Sequence, residues 1–215
     1  MRKFLTLIFS VFIFSFLYSQ SFYGGLNLGF NISQVDGDNF SGYHKIAPSG
    51  GVYVRNTFKN PNWEVSLGAL YKHKGSRDAK KDDDGNIESV YSINLNYIEI
   101  PLMFGYKLDK IGIPGLFNYY FKNDLLLEFG VSYAYLVKGT EFFDHVANPN
   151  KQFKKYEIAN HIGLIYRLSQ HWLLNYRFSY TFVFLPIHPH PGGQVNWFNR
   201  GMYNNNMNFS IIYEF

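Results

Sequence analysis

The chain has 215 residues, of which 22 are Phe and 18 are Tyr, and it contains no cysteine. Without cysteine there is neither a disulfide framework nor a thiol-linked lipid anchor. The formal charge of +4 includes Arg2 and Lys3, so little basic excess is left for a polyanion and no nucleic-acid partner is expected.

Arg2 and Lys3 open the chain, and residues 4–18 are apolar except for Thr6, Ser10 and Ser15. A short positive segment followed by such a run is the form of a secretory signal, too short to span a bilayer comfortably. The expected division is a signal peptide over 1–19, cleaved after Ser19 or Ser21, and one barrel domain over 20–215. No later segment reaches 18 consecutive apolar residues, so no helical span follows the signal.

Period two governs almost all the rest. Eight strands are predicted, over 22–33, 49–58, 63–72, 90–108, 125–138, 156–168, 172–184 and 206–215. In the first, Phe22, Leu26, Leu28, Phe30 and Ile32 oppose Gly25, Asn27, Asn31 and Ser33. In the seventh, Leu174, Tyr176, Phe178, Tyr180, Phe182 and Phe184 oppose Asn175, Arg177, Ser179 and Thr181. The fourth changes phase: Tyr91, Ile93, Leu95 and Tyr97 give way to Ile98, Ile100, Leu102 and Phe104, which predicts a β-bulge at Tyr97-Ile98. The last alternates from Met207 to Phe215 with Ile212 as its one exception.

The connections at 59–62 and 169–171 are short, while those at 34–45, 74–89, 139–153 and 185–203 are long and polar. The fourth, 109–124, is longer than a turn. Apolar faces carry aromatics near both strand ends: Trp63, Tyr106, Trp172 and Phe215 on the turn side, and Tyr71, Tyr91, Tyr156 and Phe184 on the loop side. Such girdles mark lipid interfaces. A soluble barrel with its apolar face turned inward would also alternate, but polar faces of Gly, Ser and Asn would make a poor soluble exterior. The fold class is therefore all-β, an eight-stranded antiparallel up-and-down transmembrane β-barrel with short periplasmic turns and longer extracellular loops.

The segments "NISQVDGDNFSGYHK", "LYKHKGSR", "LNYIEIPLMFGYKL" and "RGMYNNNMNFSIIYEF" resemble the PorT-like outer-membrane β-barrel proteins of Bacteroidota, with barrels of the OmpA/OmpX type. The resemblance covers essentially the whole mature chain and implies this fold and an outer-membrane location. It implies outer-membrane lipid and the barrel assembly machinery as partners, the latter reading the terminal strand through Tyr213 and Phe215. It does not carry over the founding member's role in type IX secretion. Where a basic residue is expected after Leu185-Pro186-Ile187, this chain has His188.

Arg55, Glu64, Glu99, Glu128, Arg167, Arg177 and Glu214 fall on the polar faces, with Lys72, Lys107 and Glu157. An eight-stranded interior is only wide enough for side chains, and lone buried charges are costly. A lumen ion-pair network is therefore expected. Arg55 and Glu64 flank one turn, Arg167 and Arg177 another, with Glu128 and Glu214 as partners of the two arginines. Asp82, Asp84, Asn86 and Glu88 are oxygen ligands that suit calcium, though the spacing is not that of an EF-hand. His188 and His190 lack a third ligand. Ser76, Asp78, His73 and His44 are the residues an active site at the outer rim would use, without a spacing signal behind them. No cofactor is expected. The function expected is a non-enzymatic barrel with a plugged lumen, structural or binding an unknown protein or surface ligand through its loops. The alternatives are a rim enzyme acting on lipid or peptide, or a secretion-system accessory subunit.

Overall fold

The computed structural model describes residues 22–38, 42–81, 84, 87–108, 125–148, 152–189 and 201–215, without the side chains of Lys80, Lys81 and Glu88. The expected signal segment and its cleavage sites, and the connection 109–124, lie outside the described residues.

Alternation along the chain becomes a closed sheet. The strands are β1 (Phe22–Asp36), β2 (Lys45–Thr57), β3 (Trp63–Lys81), β4 (Ile87–Lys107), β5 (Leu125–Phe143), β6 (Val146–Ala147), β7 (Tyr156–Arg167), β8 (Trp172–Thr181), β9 (His188–Pro189) and β10 (Gly201–Glu214). The eight long ones pair antiparallel in the order β1-β2-β3-β4-β5-β7-β8-β10, and β10 pairs back onto β1 from Gly25↔Glu214 to Asp36↔Tyr203. The short β6 and β9 extend β5 and β10. Closure removes every long edge from the ring.

The tight turns follow from their residues. Asn60 accepts the Asn62 backbone N–H on its side chain at 3.1 Å, and Phe58 N–H donates to Trp63 O at 3.0 Å. Ser169 Oγ accepts from the N–H groups of His171 and Trp172. Both are local side-chain turns of the Asx and Ser type. Asp144 and His145 hold φ of 46° and 66° between β5 and β6, a two-residue turn with both centres left-handed.

The outer wall is apolar. Leu26, Leu28 and Phe30 of β1, Leu67 and Tyr71 of β3, Ile98, Ile100 and Leu102 of β4, and Phe129, Val131 and Tyr133 of β5 all stand exposed on it. Trp63 meets Tyr106 edge-on at 4.7 Å, and Trp172 meets Tyr213 at 4.9 Å. These aromatics ring the turn end of the wall.

Two expectations about β4 are corrected. The bulge lies on β5: Tyr97 pairs Leu136 while Asn96 pairs Lys138, leaving Val137 as the extra residue. β4 itself keeps its alternation, and Ile93, Leu95 and Tyr97 point inward with 0% exposure. The change of phase read in the sequence is thus a change in what fills the lumen. Next to Tyr97 the inward side chain of β4 is charged on the turn side, at Glu99, and apolar on the loop side, at Leu95 and Ile93. Tyr91, expected in the lipid girdle, packs against this inner cluster and donates from Oη to Glu141 Oε1 at 2.5 Å.

Several boundaries also shift. β2 starts at Lys45, β3 runs on to Lys81 and β5 to Phe143, while β8 stops at Thr181. Much of the expected loop 74–89 is therefore strand. β3, β4 and β5 rise above their neighbours because β2 pairs β3 only up to Ser49↔Lys72.

Candidate functional site

The lumen is built in layers. At the turn-side mouth, Arg55 of β2 sits between two carboxylates. Its Nη1 lies 3.1 Å from Glu64 of β3, and its Nε and Nη2 donate to Glu214 of β10 at 2.7 and 2.9 Å. Arg167 Nη1 donates to the other side of Glu214 at 3.0 Å, and the Tyr53 hydroxyl donates to Glu214 Oε1. The Arg55 guanidinium lies 4.4 Å from the centre of the Tyr23 ring. Two arginines meet two glutamates, and the forked Arg55–Glu214 contact is the geometry that makes guanidinium–carboxylate pairs strong.

Above this mouth Leu126, Ile165, Leu173 and Ile212 form a buried apolar layer, with Tyr53 packed on it. Ile212, the one break in the alternation of β10, belongs to this layer. A second ionic layer follows. Arg177 of β8 donates through Nε and Nη2 to Glu128 of β5 at 2.7 and 2.9 Å. Lys72 and Lys74 of β3 reach Glu99 of β4 at 2.7 and 2.8 Å, and Lys74 also reaches Glu157 of β7 at 3.1 Å. Thr181 and Asn204 donate to the same Glu157. The upper apolar cluster then closes the lumen: Val35, Ile93, Leu95, Tyr97, Ala134, Leu136 and Met202, with Phe153 and Ile187 folded in from the connections.

One expected pairing is corrected. Arg167 and Arg177 do not share their two carboxylates; each takes one. Arg177 forks onto Glu128, while Glu214 holds Arg55 and Arg167. The apolar layer lies between them and divides the charges into two sets. Lys74 was missed because strand three was expected to end at Lys72. A longer reading of the alternation through Gly75 would have found it.

The remaining candidates are scattered. Asp84 is exposed in a turn, whereas Asp82, Asn86 and the Glu88 side chain, like His190, lie outside the described residues. No cluster of three metal-binding side chains occurs among the described residues. His188 meets the Phe153 ring edge-on at 5.6 Å. Ser76 donates to Asp38 at 2.5 Å, and His44 lies 3.9 Å from Asp78. His73 falls on the opposite face of β3 from Ser76, so those two do not face each other. A serine–histidine contact does occur inside, Ser132 Oγ to His161 Nε2 at 2.7 Å. There Glu99 approaches the same nitrogen at 3.9 Å, and His161 Nδ1 has no hydrogen-bond partner among the described residues. A carboxylate that orients a catalytic histidine binds the other nitrogen.

Outside the wall, at the loop end of β1, β8 and β10, Asp36 accepts from Gln34 at 2.6 Å and Asn205 at 3.3 Å. Tyr43 donates to Asn205 Oδ1 at 2.6 Å. Burial, reinforced by the Asp36 carboxylate, raises the Tyr43 phenol above its ordinary pKa.

A ring of eight antiparallel strands, apolar outside and filled with paired charges inside, defines a small membrane barrel. Residues 18–183 match the family described as outer membrane protein beta-barrel domain, and the chain belongs to that family. Its location is accordingly the outer membrane, in contact with membrane lipid. Among solved structures it is similar to Ail of Yersinia pestis, at 12% identity, covering 91% of this chain and 99% of that one, with a TM-score of 0.46. Neisserial surface protein A is similar at 9% identity, 92% and 100% coverage and TM-score 0.40. The N-terminal barrel domain of Pseudomonas aeruginosa OprF is similar at 12% identity, 89% and 97% coverage and TM-score 0.41. No curated protein matches the sequence.

Proposed function

We propose that this protein is a non-enzymatic outer-membrane barrel with a closed lumen, acting through the loops and strand ends that project from its outer rim toward a protein or surface ligand. One observation carries the reading. Five buried carboxylates of the lumen, Glu64, Glu99, Glu128, Glu157 and Glu214, each lie within 3.1 Å of a lysine or arginine. These ionic layers alternate with apolar ones, and the cavities between them hold ≈ 20 Å³ each. A water file would have to cross both apolar layers. The quoted segments support placement among the PorT-like proteins of Bacteroidota, exported by the signal at 1–19 and inserted by the barrel assembly machinery.

Planar-bilayer recordings of the reconstituted protein test the closed lumen. The expected trace stays at the lipid background. Stable conductance steps that depend on protein concentration would overturn it.

A further inference from the structure

The outer wall changes character abruptly at the loop end of β3, β4 and β5. Tyr71 and Ile98 pair directly, as do Ile98 and Tyr135, and this exposed row is the last in which all three side chains are apolar. The next row outward on the same face is His73↔Asn96↔Lys138. Then come Gly75↔Asn94↔Thr140 and Arg77↔Ser92↔Phe142. Arg77 and Lys138 are exposed, and neither makes an ion pair among the described residues. No acidic side chain shares this face between 71 and 79, 92 and 98, or 135 and 142. Asp78 and Glu141 point to the other face, where they meet His44 and Tyr91. Asp144 accepts the Val90 N–H in the turn above.

Two further features belong to the patch. His73 Nε2 and Asn96 Oδ1, neighbours in the first polar row, are buried without a hydrogen-bond partner among the described residues. Lys45 of β2 passes its amine across Gly75 to donate to Ile93 O at 2.5 Å and to Asn94 Oδ1. The opposite side of the ring, at β1, β8 and β10, presents Asp36 and tyrosines at its loop end instead. The basic face is thus local.

We propose that this face is a binding site for the phosphorylated headgroup of an outer-leaflet lipid. Its height is that of the headgroups, because it begins one row beyond the lipid-facing tyrosines Tyr71 and Tyr135. Arg77 and Lys138 lie about 10 Å apart across two strand spacings and ~13 Å apart along them. That separation suits a headgroup carrying two phosphates, one for each cation, with the lipid tails lying on Ile98, Tyr135 and Val131 below. Arg77 offers the fork that phosphate favours and Lys138 a point charge. His73 and Asn96 then meet the polar groups of the sugar between the phosphates.

The test uses folded, purified full-length chain and native mass spectrometry of retained lipid. Bisphosphorylated lipid A, the same lipid stripped of phosphate, and phosphatidylcholine are the probes, with inorganic phosphate as competitor. Wild type is expected to retain the bisphosphorylated form alone, and Arg77→Ala with Lys138→Ala to retain it roughly tenfold less or weaker still. Lys107→Ala, a charge at the far end of the barrel, is expected to change nothing. Heat-shifted gel migration establishes folding of each variant, and Arg77→Gln and Lys138→Gln singly are expected to give intermediate losses. Equal retention by wild type and the double variant, or equal retention of the stripped lipid, would overturn the site. Displacement by inorganic phosphate at matching concentration would make it a soluble-anion site and refute the lipid assignment.

Discussion

At the scale of single residues, the forked contact of Arg177 with Glu128 is the cleanest probe of the lumen. Removing one partner strands a buried charge, which costs about 3–5 kcal/mol. Arg177→Ala is therefore expected to lower the midpoint of urea unfolding in micelles, and Glu128→Ala in the same chain to recover part of the loss. Glu214→Ala combined with Arg177→Ala should instead add its own separate loss, because Glu214 belongs to the other ionic layer. Recovery in that second pair would merge the layers and contradict the pairing. Gly75 makes a different argument. Its φ is +136°, and an added Cβ would fall 2.0 Å from Ile93 O. Gly75→Ala is expected to destabilise by about 1–3 kcal/mol through backbone strain. An unchanged midpoint would show that the strand relaxes there.

At the scale of elements, most of the barrel could be read from the alternation of side chains. Phe22 to Ile32, Trp172 to Phe182 and Met207 to Phe215 present the faces their period predicts. The bulge could not be read, because a run such as Tyr91, Ile93, Leu95 and Tyr97 looks the same whether it faces lipid or an apolar lumen. What distinguishes the two is the packing of Phe153, Ile187 and Met202 from distant parts of the chain. Partners within the network were likewise only half legible. Arg55 and Glu64 flank a turn and meet, whereas Glu214 reaches Arg55 across 159 positions only because β10 closes onto β1. The bulge has its own consequence. Deleting Val137 would make the β4–β5 ladder continuous while keeping Glu141 on the inner face opposite Ile93. A Glu141→Cys reporter in this cysteine-free chain is expected to label no more readily after that deletion, and a clear rise in labelling would argue against the assigned bulge. For β10, Phe215 is 69% exposed and its N–H donates to Gly24 O at 2.9 Å. Its removal leaves the lumen untouched but takes the outermost aromatic from the row with Tyr213. Lower levels of folded protein in outer-membrane fractions are expected; undiminished levels would discard the assembly role.

At the scale of the whole molecule, the paired charges and the hydrogen-bonded ring are one object. The intact barrel is expected to resist detergent until heated and to migrate differently before and after boiling. A single mobility would contradict a closed sheet. The turn-side mouth shows why closure should be abrupt. Before β10 is laid down, Glu64 is the one carboxylate paired with these arginines at that mouth among the described residues, so Arg55 and Arg167 leave it with surplus positive charge. β10 brings Glu214 together with its ladder to β1 and β8. The last strand thus cancels the surplus and seals the seam in one movement, leaving a nearly finished barrel nowhere stable to rest.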